Sequence, residues 1–212
     1  MGIKILSRHY GKGNNSDRFL IDENGKRFII KFVFKRELNI QSKYTPKCYS
    51  IKTDRYAFLN KTKEFNFIYK YEFIDGNSVA ESIIDDVLFY KIMCLFNYFF
   101  KNGYFVWDSH LDNIIIDLNN NPVFVDLGGI EIAPFNESFY VFSFEKDDFP
   151  SDYDENRNTE TFIIYRVAFN LSKYCSLKIS RKTRNCLNKM LQKNAKQRYN
   201  SFGKIIYDLK GK

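Results

Sequence analysis

Apolar residues along the first third of the chain fall in short or alternating runs, at 3–6, 18–21, 28–34, 47–51, 56–59 and 66–72. Alternation with a period of two gives a strand one apolar face, so residues 1–72 are expected to be strand-rich. Asn24-Gly25 is the residue pair that best tolerates the left-handed positions of a tight hairpin turn. Further on the pattern changes. Asp85 to Lys101 (DDVLFYKIMCLFNYFFK) contains no breaker, is apolar nearly all round and stops at Asn102-Gly103. That predicts a buried helix with a glycine just past its end. Residues 78–212 are expected to be mainly helical, with a hinge at 73–77 rather than a flexible linker. The acidic, helix-poor stretch 143–158 reads as a loop, substrate-facing or partly mobile. No internal repeat is visible.

One polar stretch interrupts this apolar pattern in an ordered way. Residues 105–129 read FVWDSHLDNIIIDLNNNPVFVDLGG. They predict a polar loop, a strand at Ile114 to Ile116, an Asn-rich turn and a strand at Val123 to Val125 that ends at Asp126. A hairpin of this form brings Asn113 and Asp126 side by side at one end. Their oxygens suit magnesium, a hard cation that takes one or two carboxylates and completes its shell with phosphate oxygens. Asp108, five residues before Asn113, is a candidate base.

Asp108 to Asn113 matches an Asp-x4-Asn catalytic loop, and Asp126-Leu-Gly128 matches a metal-binding Asp-Phe-Gly motif. On these residues the chain resembles the protein-kinase-like superfamily. Further segments fit in the expected order. Gly11-Lys-Gly13-Asn-Asn-Ser16 resembles the glycine-rich loop over the phosphates, with serine at the third glycine position. Lys31, twenty residues on from Gly11, resembles the lysine that reaches the alpha and beta phosphates. Phe67 to Gly76 resembles the last strand and hinge of the small lobe. There Tyr71 would be gatekeeper, and the backbone of Glu72 and Ile74 would pair with adenine. Tyr153 to Ala168 resembles the entry to the large central helix, with Asn158 where aspartate is usual. Lys189 to Phe202 resembles the segment carrying a buried arginine, here Arg198, although a solvated basic helix end is an alternative reading of Arg198.

The resemblance implies an α+β, bilobal protein-kinase-like fold over 1–212, with an N-lobe at 1–72 and an abbreviated C-helix, a hinge at 73–77 and a trimmed C-lobe at 78–212. It implies an ATP- and magnesium-dependent phosphotransferase, with manganese as a substitute metal. Asp108 and Lys31 would be catalytic, Asn113 and Asp126 metal-binding, and Gly11, Gly13, Ser16, Lys31, Glu72 and Ile74 nucleotide-binding.

The departures from the family pattern keep three functions open. Val106-Trp107 stands where His-Arg usually precedes the catalytic Asp, so activity is expected without phosphorylation of an activation loop. His110 stands where protein kinases commonly carry lysine, which resembles aminoglycoside phosphotransferases and lipopolysaccharide-core heptose kinases; a structural hydrogen bond is its simpler role. Glu37 is the best candidate partner for Lys31, only six residues away. Phe149-Pro150-Ser151 is the nearest match to Ala-Pro-Glu, and no glutamate is assigned to Arg198. A serine/threonine protein kinase, whether a compact bacterial or viral enzyme or a secreted effector, is the first reading. A small-molecule or lipopolysaccharide-sugar kinase is the second, and a pseudokinase interaction module the third.

Composition narrows the setting. The 212 residues are 44% hydrophobic and 18% aromatic, enough for a sizeable core though short for a kinase. No apolar run reaches the roughly 20 residues of a membrane span, and no signal-peptide stretch is seen. Leu6 stands where a myristoylation signal needs Ser or Thr. Cys48, Cys94, Cys175 and Cys186 show no pairing or metal-ligand spacing, with or without His9 and His110. A reduced, cytoplasmic protein is expected, or one exported into a host cell. The net charge is +8, and Lys173 to Lys212 holds twelve basic residues against one acid, whereas 145–160 holds seven acids against two bases. The basic end could meet an acidic protein or surface. No nucleic-acid-binding motif accompanies it, so no nucleic-acid partner is expected.

Overall fold

A computed structural model describes residues 3–10, 16–33, 36–57, 64–132 and 159–211. Gly11, Gly13 and the rest of the loop up to residue 15 lie outside the described residues, as do 143–158, Asn158 and Phe149-Pro150-Ser151. The chain is mixed α+β, a strand-rich sheet region followed by a region with four described helices, and it divides into two compact units, Met1–Asp75 and Gly76–Lys212.

The first unit is an antiparallel sheet of β1 (Ile3–Tyr10), β2 (Ser16–Glu23), β3 (Lys26–Val33), β4 (Cys48–Ala57) and β5 (Glu64–Glu72), in the order β1-β2-β3-β5-β4. Asn24 and Gly25 join β2 to β3 with φ of 57° and 80°, as the turn chemistry predicts. The expected runs 47–51 and 56–59 belong largely to one strand, β4, and residues 58 and 59 are not described. The polar Lys52 to Arg55 between those runs does not end the strand, because β4 lies at a sheet edge and absorbs them with a register shift between Thr53 and Tyr56. Ser16, expected in the glycine loop, is instead the first residue of β2, opposite Val33.

The abbreviated helix expected after β3 is absent from the described residues 36–47, which are irregular apart from a turn at 42–45. Thr45 organises that turn, its hydroxyl donating to the Ile40 carbonyl at 2.6 Å. Glu37 is nonetheless buried.

The second unit begins with β6 (Gly76–Ser78), which takes up the last part of the expected hinge and pairs with a later strand. Next come β7 (Ile83–Asp85) and helix α1 (Asp86–Lys101). Asp85 caps α1 by accepting the Leu88 N–H at 2.7 Å, and Gly103 follows it in the left-handed region. The helix is not uniformly buried: Leu88, Phe89, Ile92, Met93, Leu95, Phe96 and Phe99 form its buried face, while Val87 is exposed.

This unit is less helical than expected, because short strands stitch the loops together. They are β8 (Tyr104–Val106), β9 (Ile114–Asp117), β10 (Pro122–Phe124), β11 (Ile130–Ile132) and β12 (Ser176–Lys178). β10-β9-β6 form one small sheet, β11 pairs with β8, and β12 runs parallel to β7. Helices α2 (Glu160–Tyr174), α3 (Arg181–Met190) and α4 (Phe202–Lys210) complete it. The core is aromatic: Phe96 stacks on Phe202 at 5.2 Å, and Phe99 meets Phe124 edge-on at 5.7 Å. No helix among the described residues is long and apolar enough to cross a membrane.

Candidate functional site

In the first unit the chemistry centres on Lys31. Its position on β3 opposite Tyr69 of β5 places it on the face that also carries Tyr71, two residues along. The Lys31 ammonium forms an ion pair with Glu37 Oε1, and both side chains are almost fully buried. The other carboxylate oxygen, Oε2, accepts the Tyr71 hydroxyl at 2.9 Å. The Tyr69 hydroxyl accepts the Glu37 N–H at 2.7 Å and donates to the Glu37 carbonyl at 3.2 Å. A buried irregular segment must satisfy its backbone polar groups somewhere, and here one phenol serves both groups of Glu37. Burial, with the Glu37 charge next, pushes the Tyr71 phenol far above its ordinary range.

The expected hinge residues leave β5 here. Glu72 spends its N–H on the Lys47 carbonyl at 2.8 Å. Ile74 lies in the irregular stretch after β5 and makes no hydrogen bond among the described residues. Arg27 stacks over the Phe73 ring at 4.5 Å and pairs with Asp75, tying that stretch to β3.

In the second unit the hairpin predicted from the sequence is present. β9 and β10 pair Ile114 with Phe124, and the pairing runs one step further, the Val125 N–H donating to the Asn113 carbonyl at 2.8 Å. Asn113 and the residue before Asp126 therefore face each other at the end of the hairpin. A turn of 3-10 helix, Leu111–Asn113, delivers Asn113 to this point, and buried Leu111 and Ile114 pin it. The Asn113 side-chain amide donates to the Asp108 carbonyl at 3.2 Å, which leaves its oxygen as the end available to a cation. Asp126 caps the next 3-10 turn, Leu127–Gly129, accepting the Gly128 N–H at 3.3 Å. Among the described residues no group of three or more His, Cys, Asp or Glu side chains could hold a metal. An amide oxygen and a carboxylate are donor types that magnesium takes alongside phosphate and water.

Asp108 is brought to the same turn from the other side. β8 pairs with β11, and the Trp107 N–H donates to the Gly129 carbonyl at 2.7 Å. The approach is so close that a Cβ on Gly129 would stand 2.6 Å from Asp108 Cβ. The Asp108 carboxylate is 45% exposed, with His110 Nε2 at 4.0 Å. Two residues not anticipated as site residues hold this loop from beneath. Arg166 of α2, buried, donates to the Trp107 carbonyl at 2.7 Å, and Asn170 donates to the Ser109 carbonyl at 3.4 Å. Trp107, standing where an arginine was expected, donates its indole N–H to Glu131 at 3.1 Å and packs on Phe105.

Arg198 is buried, which overturns the solvated reading: its guanidinium donates to the carbonyls of Thr161 at 3.0 Å and Lys193 at 3.1 Å. Arg181, Lys182, Arg184 and Lys189 of α3 are exposed, as the charge pattern suggested.

Tyr69, Gly129, Arg166 and Asn170 were not anticipated as candidate site positions. Only Tyr69 had a usable signal, since alternation along β5 puts it on the face shared with Tyr71. Neither family models nor characterised proteins match this chain.

Proposed function

We propose that this protein is a phosphotransferase that moves the gamma-phosphate of ATP to a hydroxyl group, that of serine or threonine in a protein. The observation that carries this reading is the convergence at one hairpin end: Asn113 faces Val125, beside Asp126, while Trp107 and Gly129 tie Asp108 to the same turn. A base candidate beside two hard oxygen donors is the arrangement phosphoryl transfer requires, because positioning and charge neutralisation supply most of its catalysis.

Asn113 and Asp126 would hold magnesium, which when bound supplies charge neutralisation on the transferring phosphate. Asp108, with its carboxylate partly exposed, would orient the acceptor hydroxyl and take its proton. Lys31, aligned by Glu37, would bind the alpha and beta phosphates. The Glu72 carbonyl and the Ile74 N–H would pair with adenine, with Gly11 and Gly13 contributing from the loop before β2 and Ser16 from the first position of β2. A protein acceptor is favoured by buried Arg198, which ties the segment before α4 to the start of α2. A small-molecule or sugar acceptor is favoured by His110, half exposed beside Asp108.

The test is label transfer from gamma-labelled ATP with magnesium, comparing wild type with Asp126→Ala in a host-type lysate. Protein bands made by wild type alone support the first reading. ATP depletion without labelled protein supports the small-molecule reading. Absence of both in wild type refutes phosphotransfer and leaves a pseudokinase. Asp126→Ala is expected to lose about a thousandfold in turnover. It should stay folded, since loss of the cap on the 3-10 turn costs about 1 kcal/mol.

A further inference from the structure

Glu37 is buried, charged and set on no helix or strand, and among the described residues its hydrogen bonds come from β3 and β5. A buried carboxylate in an irregular segment would ordinarily be free to turn about its side-chain bonds. Here the Lys31 ammonium takes Oε1 and the Tyr71 hydroxyl takes Oε2, so rotation of the carboxylate would break one bond or the other. The backbone at residue 37 is held separately. The Tyr69 hydroxyl binds both its N–H and its carbonyl, so that segment can neither slide nor peel away without losing two hydrogen bonds. The two phenols brace each other, their rings stacked with centroids 5.5 Å apart and planes 2° from parallel.

We propose that Tyr69 and Tyr71 form a two-phenol clamp that positions Glu37, and through it the Lys31 ammonium, without help from a helix. Both tyrosines are positioning residues, and the role given to Lys31 rests on the phosphotransfer reading. The division of labour is explicit. Tyr69 fixes where residue 37 is, and Tyr71 fixes which way its carboxylate faces. Because the clamp closes through strand-borne groups alone, the Lys31–Glu37 pair is assembled before any nucleotide binds.

The experiment uses the full chain with Tyr69→Phe, Tyr71→Phe, Glu37→Gln and the double variant Tyr71→Phe/Glu37→Gln. Each phenylalanine keeps the stacked ring and removes one hydroxyl. The first readout is amide hydrogen exchange, which needs no activity. Tyr69→Phe should speed exchange at Glu37 about thirtyfold, as loss of two buried hydrogen bonds of about 1 kcal/mol each implies, while Ile30 and Lys70 in the flanking strands keep their rates. Unchanged exchange at Glu37 overturns the clamp, as does an equal rise across β3 and β5.

The second readout is kcat/KM for ATP. Tyr71→Phe should lower it about tenfold, and the double variant should lose no more than Glu37→Gln alone, because Tyr71 acts only through Glu37. Losses that multiply overturn the proposal. A wild type that transfers no phosphate refutes the phosphotransfer reading, and the exchange measurement still decides the clamp.

Discussion

Gly129→Ala is a narrow test of whether Asp108 works where it stands. The added Cβ would lie 2.6 Å from Asp108 Cβ, 3.1 Å from its N and 3.4 Å from its Cα. Carbon atoms in contact sit about 3.5–4.0 Å apart, so the two backbones must separate by about 1 Å at this point. The Trp107–Gly129 hydrogen bond, 2.7 Å long, lies directly beside the clash and must lengthen or rotate. Overpacking of this kind costs about 1–3 kcal/mol in stability. A displacement of about 1 Å in a catalytic group costs on the order of a hundredfold in rate. Steady-state transfer from ATP should therefore show kcat down about a hundredfold, with KM for ATP changed much less, since Gly129 crowds Asp108 rather than Lys31. Thermal melting should show that the protein remains folded. Gly203→Ala on α4 is the control, because its Cβ would meet nothing nearer than the Asn97 side-chain oxygen at 3.2 Å. A Gly129→Ala protein with wild-type kcat would refute the placement of Asp108 as the base.

Other perturbations test separate parts of the reasoning. Trp107 engages Glu131 and Phe105 where an arginine would await a phosphate, so phosphatase treatment should leave transfer activity unchanged; a silenced enzyme would contradict this. Burial holds the Glu160 carboxyl above its ordinary range, with the Phe202 N–H pulling the other way. Its folded pKa exceeds its unfolded one, so the burial penalty is full at pH 7 and disappears on acidification through that window. Glu160→Gln keeps an acceptor for the Phe202 N–H and should raise the urea midpoint at pH 7, the difference closing toward acid; a widening difference would show the sign to be wrong. Burial, with Asp112 adding, pushes the Cys175 thiol up to about 11. Iodoacetamide at pH 8 should label it about twentyfold more slowly than a free small thiol, and equal rates would show that its carbonyl contact with Val79 and its burial do not persist in solution.

The hairpin at 114–124 was legible because its ends, turn and apolar strands lie together in sequence, and the same local logic found the glycine past the end of α1 and Asn24-Gly25 as a turn. Glu37 was legible as a candidate from charge type alone. Its surroundings were not, because the phenols that hold it arrive from a strand more than thirty residues away. Among the described residues 36–47 no helix forms, and at Glu37 the Tyr69 hydroxyl takes the backbone N–H and carbonyl that a helix would have bonded. Arg198 was expected to be buried only through the resemblance, and its polar neighbours in sequence left a solvated reading open. Its burial depends on carbonyls, which any residue can offer and no pattern marks.

Sequence separation also sets the order in which the two halves of the chemistry can come together. The Asn113–Asp108 contact closes five residues of chain, whereas Tyr71 reaches Glu37 across 34. Closure entropy grows with the logarithm of loop length, and the ratio of these spans corresponds to about 1.7 kcal/mol. The oxygen donors of the second unit can gather as the chain emerges, from neighbours already present. The partner of Lys31 must wait until β5 has docked on β3, so its alignment belongs to the finished sheet and is lost with the first strand to leave it.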